Sequence, residues 1–452
     1  MSSATTPGDG GRRATGSPGA SGVSNTAGSQ AVLDDTRGHY FAEPTKPVGT
    51  RFTIALVVAQ LFFFIALLGP AIVGVAVKVN TIVPEADRTS AVAIVAGFGA
   101  AAAFLANVVF GRLSDRTTSR WGRRRPWIIG GTVVMTLAFV VMALGTNVAT
   151  VTAGWFLAQA GANAAFAPFV ATLADQVPKV QRGKLAAALG MAQNVGIYGG
   201  TLVAQFFQDD LLLMFVGPAL LAIVAMTVYA VVLPDQVLPT KPTGMSLREW
   251  GRTFWVSPRK HPDFALAWWS RFLITLATFM FTTFRLFYME DRIGQDSASA
   301  VAAVSTGVLI YTVVLLVVAP IAGWISDKTG RRKFLVAGST LVFAIGTALL
   351  TQASDLSHFY LVEAVLGLAY GIYVGVDLAL VVDVLPNPDD AGKDLGVFNM
   401  ANAMPQTLAP ALGGVLLAVG SANNQNYDLL LWTAAVASVI GALVIIPIRK
   451  VR

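Results

Sequence analysis

Gly111-Arg112-Leu113-Ser114-Asp115-Arg116-Thr117, followed by Gly122-Arg123-Arg124-Arg125, is repeated from Gly323 onward. The second copy reads Gly323-Trp324-Ile325-Ser326-Asp327-Lys328-Thr329 and then Gly330-Arg331-Arg332-Lys333. Each copy is a hydrophilic turn between two long apolar runs. The same basic turn at matching places in two hydrophobic halves predicts a membrane protein built from repeats, with any solute site at the seam between them.

The apolar runs on either side are long enough to span a bilayer, for which about 20 residues suffice. They fall at 52–77, 90–110, 127–147, 150–174, 184–207 and 211–234, and again at 264–289, 300–325, 334–352, 357–385, 394–419 and 427–447. The expectation is therefore an all-α membrane protein of twelve transmembrane helices in two pseudo-symmetric six-helix bundles. Residues 51–234 form the first bundle and 264–452 the second, which ends in a short tail. Residues 235–263 make a polar linker, in which Ser246-Leu247-Arg248-Glu249-Trp250 suits an amphipathic helix on the membrane surface. Residues 1–50 are rich in Gly, Ser and Pro and predict a disordered tail. Arg12-Arg13 is not read as a twin-arginine export signal, because no apolar core follows it.

Composition agrees. Of 452 residues, 55% are hydrophobic and only 13% charged, which excludes an ordinary soluble domain. The net charge of +7 sits in the turns, so it predicts contact with an anionic membrane leaflet and no nucleic acid. There is no cysteine, and His39, His261 and His358 have no ligand spacing, so no metal site and no enzyme chemistry is expected. With both termini inside, cytoplasmic segments hold 27 of the 32 Lys and Arg residues. The positive-inside rule then predicts a cytoplasmic-membrane protein with both termini cytoplasmic.

The repeat extends further. The fourth run ends Ala174-Asp175-Gln176-Val177-Pro178 and continues to Arg182-Gly183-Lys184; the tenth ends Asp383-Val384-Leu385-Pro386 and continues to Gly392-Lys393. With six plus six helices and Gly-x-x-x-Asp-Arg/Lys plus an arginine cluster in each half, the chain resembles the major facilitator superfamily over about 50–450. The longer first turn, from Ser114 to Trp127 with four residues more than the second copy, is similar to that of the sucrose and glycoside–pentoside–hexuronide cation symporters. So is Asp175-Gln176-Val177-Pro178 with Arg182-Gly183. The resemblance implies a gating role for Gly111, Asp115, Arg116, Gly122, Arg123, Gly323, Asp327, Arg331 and Arg332. Asp175 with Arg182, and Asp383 with Lys393, are expected as the partner clusters. A carboxylate at a helix end can cap the facing helix and pair with arginines, although such charges can also merely fix topology and bind lipid headgroups.

Ionisable residues inside the apolar runs are costly unless paired or wetted, and so mark function. They are Glu363 and Asp377 in the tenth run and Arg271 and Arg285 in the seventh. Glu363 and Asp377 lie close to four helical turns apart, on nearly one face. All four are read as coupling residues, with Asp377 leading and a fixed ion pair as the alternative. Plant-type sucrose carriers have an aspartate where this chain has Gln159 and an arginine where it has Val170. The carboxylates that melibiose-type sodium symporters carry in their first two helices are also missing. Coupling therefore falls to the second half, with a proton, or sodium, as the ion and no other cofactor.

Amides both donate and accept, which suits hydroxylated solutes. Asn194, Tyr198, Thr201 and Gln205 make one helical stripe, and Asn399, Asn402 and Gln406 another, joined by Asn107, Gln159, Asn163 and Tyr373. The residues expected to touch solute are Asn107, Gln159, Asn163, Asn194, Tyr198, Tyr373, Asn399, Asn402 and Gln406; amide rows can alternatively just join helices. Gly367, Gly371 and Gly375 recur every four residues, as do Gly196 and Gly200, and predict close helix contacts, sliding or static. The expectation is a monomeric secondary transporter that alternates its access and brings in a neutral sugar or glycoside with a proton. The alternatives are an exporter of drugs or metabolites by proton antiport, to which Phe279-Met280-Phe281 would be suited, and a non-transporting membrane sensor.

Overall fold

The computed structural model describes residues 44–238, 256–385, 391–421 and 423–449. The tail up to residue 43, most of the 235–263 segment with its proposed surface helix, and the Lys393 side chain lie outside the described residues.

Among the described residues twelve long helices follow one another. They are α1 (Thr50–Asn80), α2 (Arg88–Asp115), α3 (Arg125–Leu144), α4 (Val148–Gln176), α5 (Lys179–Phe206) and α6 (Leu211–Val232), then α7 (Pro262–Asp291), α8 (Ser297–Thr329), α9 (Arg332–Leu349), α10 (Leu356–Val384), α11 (Ala391–Ala418) and α12 (Tyr427–Ile445). All but α5 and α11 are long and apolar enough on their own to cross a membrane. Those two carry the amide rows. α6 shows why water is not the solvent here. Its outward Leu220, Leu221, Val224, Val228 and Val231 are all more than half exposed, while Phe215, Ala219, Ala222 and Met226 on its inner side are fully covered. A helix apolar on every side belongs in lipid.

Caps set where several helices begin, and they recur six helices apart. Asn147 accepts from Thr150 N–H to start α4, and Asp355 accepts from His358 N–H to start α10. Asp210 does the same for α6 and Asn426 for α12. A cap of this kind stabilises a helix by about 1 kcal/mol. α1 is interrupted at Pro70–Gly74 by a π-helical turn, where Pro70 has no N–H to continue the ladder.

Packing repeats in the same way. α3 packs on α4, α2 on α4, α1 on α5 and α6, and α3 on α6. Adding six to every number gives the partners seen among α7–α12: α9 on α10, α8 on α10, α7 on α11 and α12, and α9 on α12. Between the two sets, α2 meets α11 and α5 meets α8, a pair of contacts that the same exchange interconverts. The all-α, two-fold repeated architecture expected from the duplicated turn is what the chain forms.

Small residues allow the closest approaches. A methyl on Gly200 would lie 2.5 Å from Gly69 N, so α1 and α5 touch backbone to backbone. Methyls on Gly367 and Gly375 would strike the α8 backbone at Tyr311 and Ala319.

Candidate functional site

A cavity of about 520 Å³ lies between α2, α4 and α11. On α2 its wall runs from Ala100, near mid-helix, to Asp115 at the end that carries the duplicated turn, called here the basic end. Fifteen residues of helix make that path about 22 Å long. Asn107 and Asn163 line one side and Asn399, Asn402 and Gln406 the other, with Phe104, Phe166 and Met400 between. The cavity thus brings together five of the nine residues expected to touch solute.

The other four do not line it. Gln159 lies one turn along α4 from Asn163 and accepts from the Asn163 amide through its backbone carbonyl (2.9 Å). Asn194 donates to Gly190 O within α5 (2.9 Å), so its stripe is spent partly on its own helix. Tyr198 and Tyr373 also fall outside the lining, Tyr373 being buried against α10's neighbours. Spacing placed the α5 residues on one face but could not say which neighbour that face meets. The lining amides are held in place: Asn107 donates to Asn163 (3.1 Å) and Asn402 to Asn399 (3.3 Å). Gln406 makes no side-chain hydrogen bond among the described residues.

Behind Asn402 lies a buried charge pair. Arg271 on α7 meets Asp377 on α10 at 3.0 Å, donates from Nε to Asn402 Oδ1 at 2.8 Å, and stacks over the Phe398 ring at 4.9 Å. A second pair, Arg285 with Glu363 at 3.2 Å, joins the same two helices nearer their opposite end. Glu363 is fully buried, and neither of its carboxylate oxygens makes a hydrogen bond of ordinary geometry. The four ionisable residues singled out in the apolar runs are therefore two ion pairs.

At the basic end both copies of the turn use one arginine to join two carboxylates. Arg124 holds Asp115 (2.6 Å) and Asp175 (2.9 Å), with Arg123 also on Asp175 (2.7 Å). Arg332 holds Asp327 (3.5 Å) and Asp383 (2.5 Å). Burial alone would depress the Arg124 guanidinium, but Asp115 and Asp175 outweigh it and hold its pKa above the ordinary arginine value. The conformation also explains the paired glycines. Gly122 (φ +103°) and Gly330 (φ +65°) both occupy the left-handed region, and a methyl on Gly122 would run into the Asp235 carboxylate.

Two sequence expectations are corrected here. Arg182 does not pair with Asp175; it donates to the carbonyls of Val177 and Ala174, because Arg123 and Arg124 reach the carboxylate first. The start of α3 is capped by Asp235, which accepts from Arg124 N–H and Arg125 N–H (2.7 and 2.9 Å), and not by Asp115. The described bonds of both clusters also stay inside their own set of six helices. They tie α2, α3 and α4, or α8, α9 and α10, into units. Arg124 was missed as a site residue, although the repeat signals it as the counterpart of Arg332.

The opposite end, called here the far end, holds a cluster that the sequence did not reveal. Arg88 of α2 pairs with Glu290 (2.8 Å) and with Asp291, at the last turn of α7. Asn80 donates to Glu290 (3.1 Å), and Tyr427 of α12 donates to Asp291 (2.5 Å). Below this clasp the two sets are sealed where Ala93 abuts Gly414 and where Ser305 of α8 donates to Thr201 of α5 (3.3 Å). These contacts join the two sets near the far end, while the cavity between α2, α4 and α11 reaches the basic end.

Two repeated bundles, close inter-bundle seams and a polar cavity between them define a membrane transporter. The model of the Major Facilitator Superfamily matches residues 52–310 and 292–452, and the chain belongs to that family, a family of transporters and not of enzymes. Among curated proteins, it is similar to "Multidrug resistance protein 3" of Bacillus subtilis, 29% identical over 106 residues, 24% of this chain and 20% of that one. It is also similar to the uncharacterized MFS-type transporter YwfA of the same organism, 32% identical over 123 residues, 26% of this chain and 29% of that one. The matched stretches thus span less than a third of either relative. Among solved structures, the nucleoside transporter NupG superposes with a TM-score of 0.66 at 14% identity, covering 87% of this chain and 98% of that one. A POT family transporter in complex with a thioalcohol-conjugated peptide gives 0.63 at 14% identity, covering 86% and 95%. At such identities these two structures speak for the fold alone.

Proposed function

We propose that the chain carries a neutral, hydroxyl-rich solute, a sugar or glycoside, by alternating access, coupled to a proton through Asp377. The observation behind this reading is the cavity, in which amides of α2 and α4 face amides of α11. Groups that donate and accept together match hydroxyls, and a solute held between the two bundles feels both of them move. Residues 51–234 and 264–452 are taken as the moving bodies and 235–263 as the link. The excess of Lys and Arg at the basic end supports a cytoplasmic location for it, which makes this the inward-facing conformation. In the outward-facing state the Arg88 clasp parts and the two Arg-carboxylate units at the basic end approach each other to close the cavity.

A proton needs only one oxygen of Asp377, whereas sodium needs several oxygen ligands and would meet the Arg271 guanidinium 3.0 Å away, which favours a proton as the coupling ion. A proton on Asp377 frees Arg271, whose other bond runs to Asn402 on the cavity wall. Charge state and solute contact are thereby joined through one guanidinium. A second reading, proton-driven export of drugs or metabolites, is favoured by the name of the Bacillus subtilis relative and by Phe104, Phe166 and Met400 in the lining.

Reconstituted protein tests both. Radiolabelled disaccharide should accumulate in proteoliposomes when the outside is acid, and Asp377→Asn should abolish accumulation while leaving exchange. Uphill uptake unchanged by that substitution would remove Asp377 from the mechanism. Proton-driven movement of a cationic dye, with no disaccharide uptake, would decide for the exporter.

A further inference from the structure

The two buried ion pairs are about 21 Å apart along α10, fourteen residues at the helical rise. Between them the same helix carries Tyr370 and Tyr373. Glu363, Tyr370, Tyr373 and Asp377 stand at i, i+7, i+10 and i+14, which confines them to one face less than a quarter-turn wide. The gap between Glu363 and Tyr370 is filled from α8. Gly367 has no side chain, and the α8 backbone at Tyr311 comes so close that a methyl there would lie 2.6 Å from Tyr311 O. The Tyr311 ring packs on Tyr370 (centroids 6.1 Å apart), and Tyr370 stacks on Tyr373 (5.8 Å). Tyr311 lies within electrostatic reach of both Arg285 and Glu363, and Tyr370 within reach of Arg271 and Asp377. Tyr373 Oη is buried beside Asp377 and makes no hydrogen bond of ordinary geometry.

We propose that Tyr311, Tyr370 and Tyr373 form a proton route from the Arg285–Glu363 pair to the Arg271–Asp377 pair. The proposal rests on the reading of Asp377 as the coupling residue. Among the described residues, the titratable and charged groups facing the ends are Arg285 of α7 and Tyr311 of α8 at Glu363, and Arg271 of α7 with Tyr370 and Tyr373 at Asp377. A proton arriving from the far side joins the Glu363 carboxylate. It passes to the Tyr311 oxygen as that phenol gives up its own proton to the next, and so on to Asp377. Glu363 returns to a carboxylate, every tyrosine ends as a phenol, and Asp377 holds the one proton gained. Tyr311 and Tyr370 are only partly buried, so water can bridge hydroxyls that do not touch. The two buried acids then act in sequence, Glu363 taking the proton near the far end and Asp377 using it beside the cavity.

Phenylalanine removes the hydroxyl and keeps the packing, so Tyr370→Phe, Tyr311→Phe and Tyr373→Phe test the route without emptying the core. Each variant is reconstituted with a pH dye inside the liposomes, and acid and sucrose are added outside. Proton entry should fall by at least about tenfold in Tyr370→Phe, while sucrose counterflow, which needs no net proton movement, should stay close to wild type. A solute-free readout runs in parallel, with the carboxyl infrared bands assigned by their loss in Glu363→Gln and Asp377→Asn. After an external acid step the Glu363 band should appear on time in Tyr370→Phe and the Asp377 band late. Wild-type proton entry and band kinetics in all three phenylalanine variants would overturn the route. Wild-type proton entry in Asp377→Asn would instead remove the coupling reading beneath it.

Discussion

Arg88 at the first residue of α2 reaches Glu290 near the last residue of α7 across 2.8 Å, joining one six-helix set to the other at the far end. It also pairs with Asp291 and stacks over the Phe287 ring at 4.9 Å. All three charged side chains are largely covered, with 12%, 8% and 4% of their surface exposed. The described ion pairs of the basic end remain within one set, so this clasp holds the two sets together where they must part for the far end to open. Arg88→Gln should therefore favour the far-end-open state. Hydrogen bonds to charged groups contribute about 1.5–3 kcal/mol, and each 1.4 kcal/mol is roughly tenfold in population. The chain has no cysteine, so spin labels can be placed directly at Gln208 and Gln425, on opposite sides of the clasp. The variant should show a longer label separation in a substantially larger fraction of molecules. An unchanged distance distribution would deny the clasp any part in setting the state.

Gly200 and Gly190 lie on the same helix and should respond oppositely to alanine. A methyl at Gly200 meets backbone atoms of Gly69 at 2.5 and 2.8 Å, which cannot move without parting α1 from α5. Overpacking of this kind costs about 1–3 kcal/mol. At Gly190 nothing lies within 4 Å, so alanine should be neutral or stabilise the helix by up to about 1 kcal/mol. Thermal unfolding in detergent should order them as Gly200→Ala below wild type and Gly190→Ala at or above it. The reverse order would mean that α1 and α5 do not meet as described.

The fold was legible because the duplicated turn and the apolar runs are local features repeated in register, and span length follows from the bilayer. The Arg271–Asp377 and Arg285–Glu363 pairs were half legible: burial cost named all four residues, while who faces whom needed the packing of α7 on α10. The α5 amide stripe shows the limit of periodicity. Asn194 and Tyr198 share a face with Thr201, but Asn194 is spent on Gly190 O and Thr201 meets Ser305 of α8, while the cavity is lined from α2, α4 and α11. The far-end clasp was not legible at all. Arg88, Glu290 and Asp291 sit at helix ends, where charged residues are ordinary, and only the meeting of α2 with α7 makes them a unit.

Asp235→Ala should loosen the first basic turn without touching the cavity. Its carboxylate accepts the N–H groups of both Arg124 and Arg125 at the start of α3, while Arg125 bonds back to Leu233 O. Loss of such a cap costs about 0.5–2 kcal/mol. Amide exchange should accelerate at residues 123–127 and stay unchanged at the α9 start, whose copy of the turn is intact. Equal protection in variant and wild type would mean the cap contributes nothing.

The two cavity walls can be separated by kinetics. Asn402 lines the cavity and accepts from Arg271 Nε–H at 2.8 Å, whereas among the described residues Asn107 on the opposite wall is bonded to Asn163 alone. Leucine is close to asparagine in size and neither donates nor accepts, so on the proposed function both Asn107→Leu and Asn402→Leu would remove solute contacts. Each should raise the KM for a transported disaccharide by about 5–30-fold, the equivalent of one to two hydrogen bonds. Only Asn402→Leu also leaves a buried guanidinium N–H without its acceptor, so only it should alter how uptake varies with external pH. Asn194→Leu is the control, because that amide is turned onto Gly190 O in its own helix and should leave KM within about twofold. A large rise in KM from Asn194→Leu with none from Asn402→Leu would place the solute against α5, not α11, and remove the assignment of this cavity as the site.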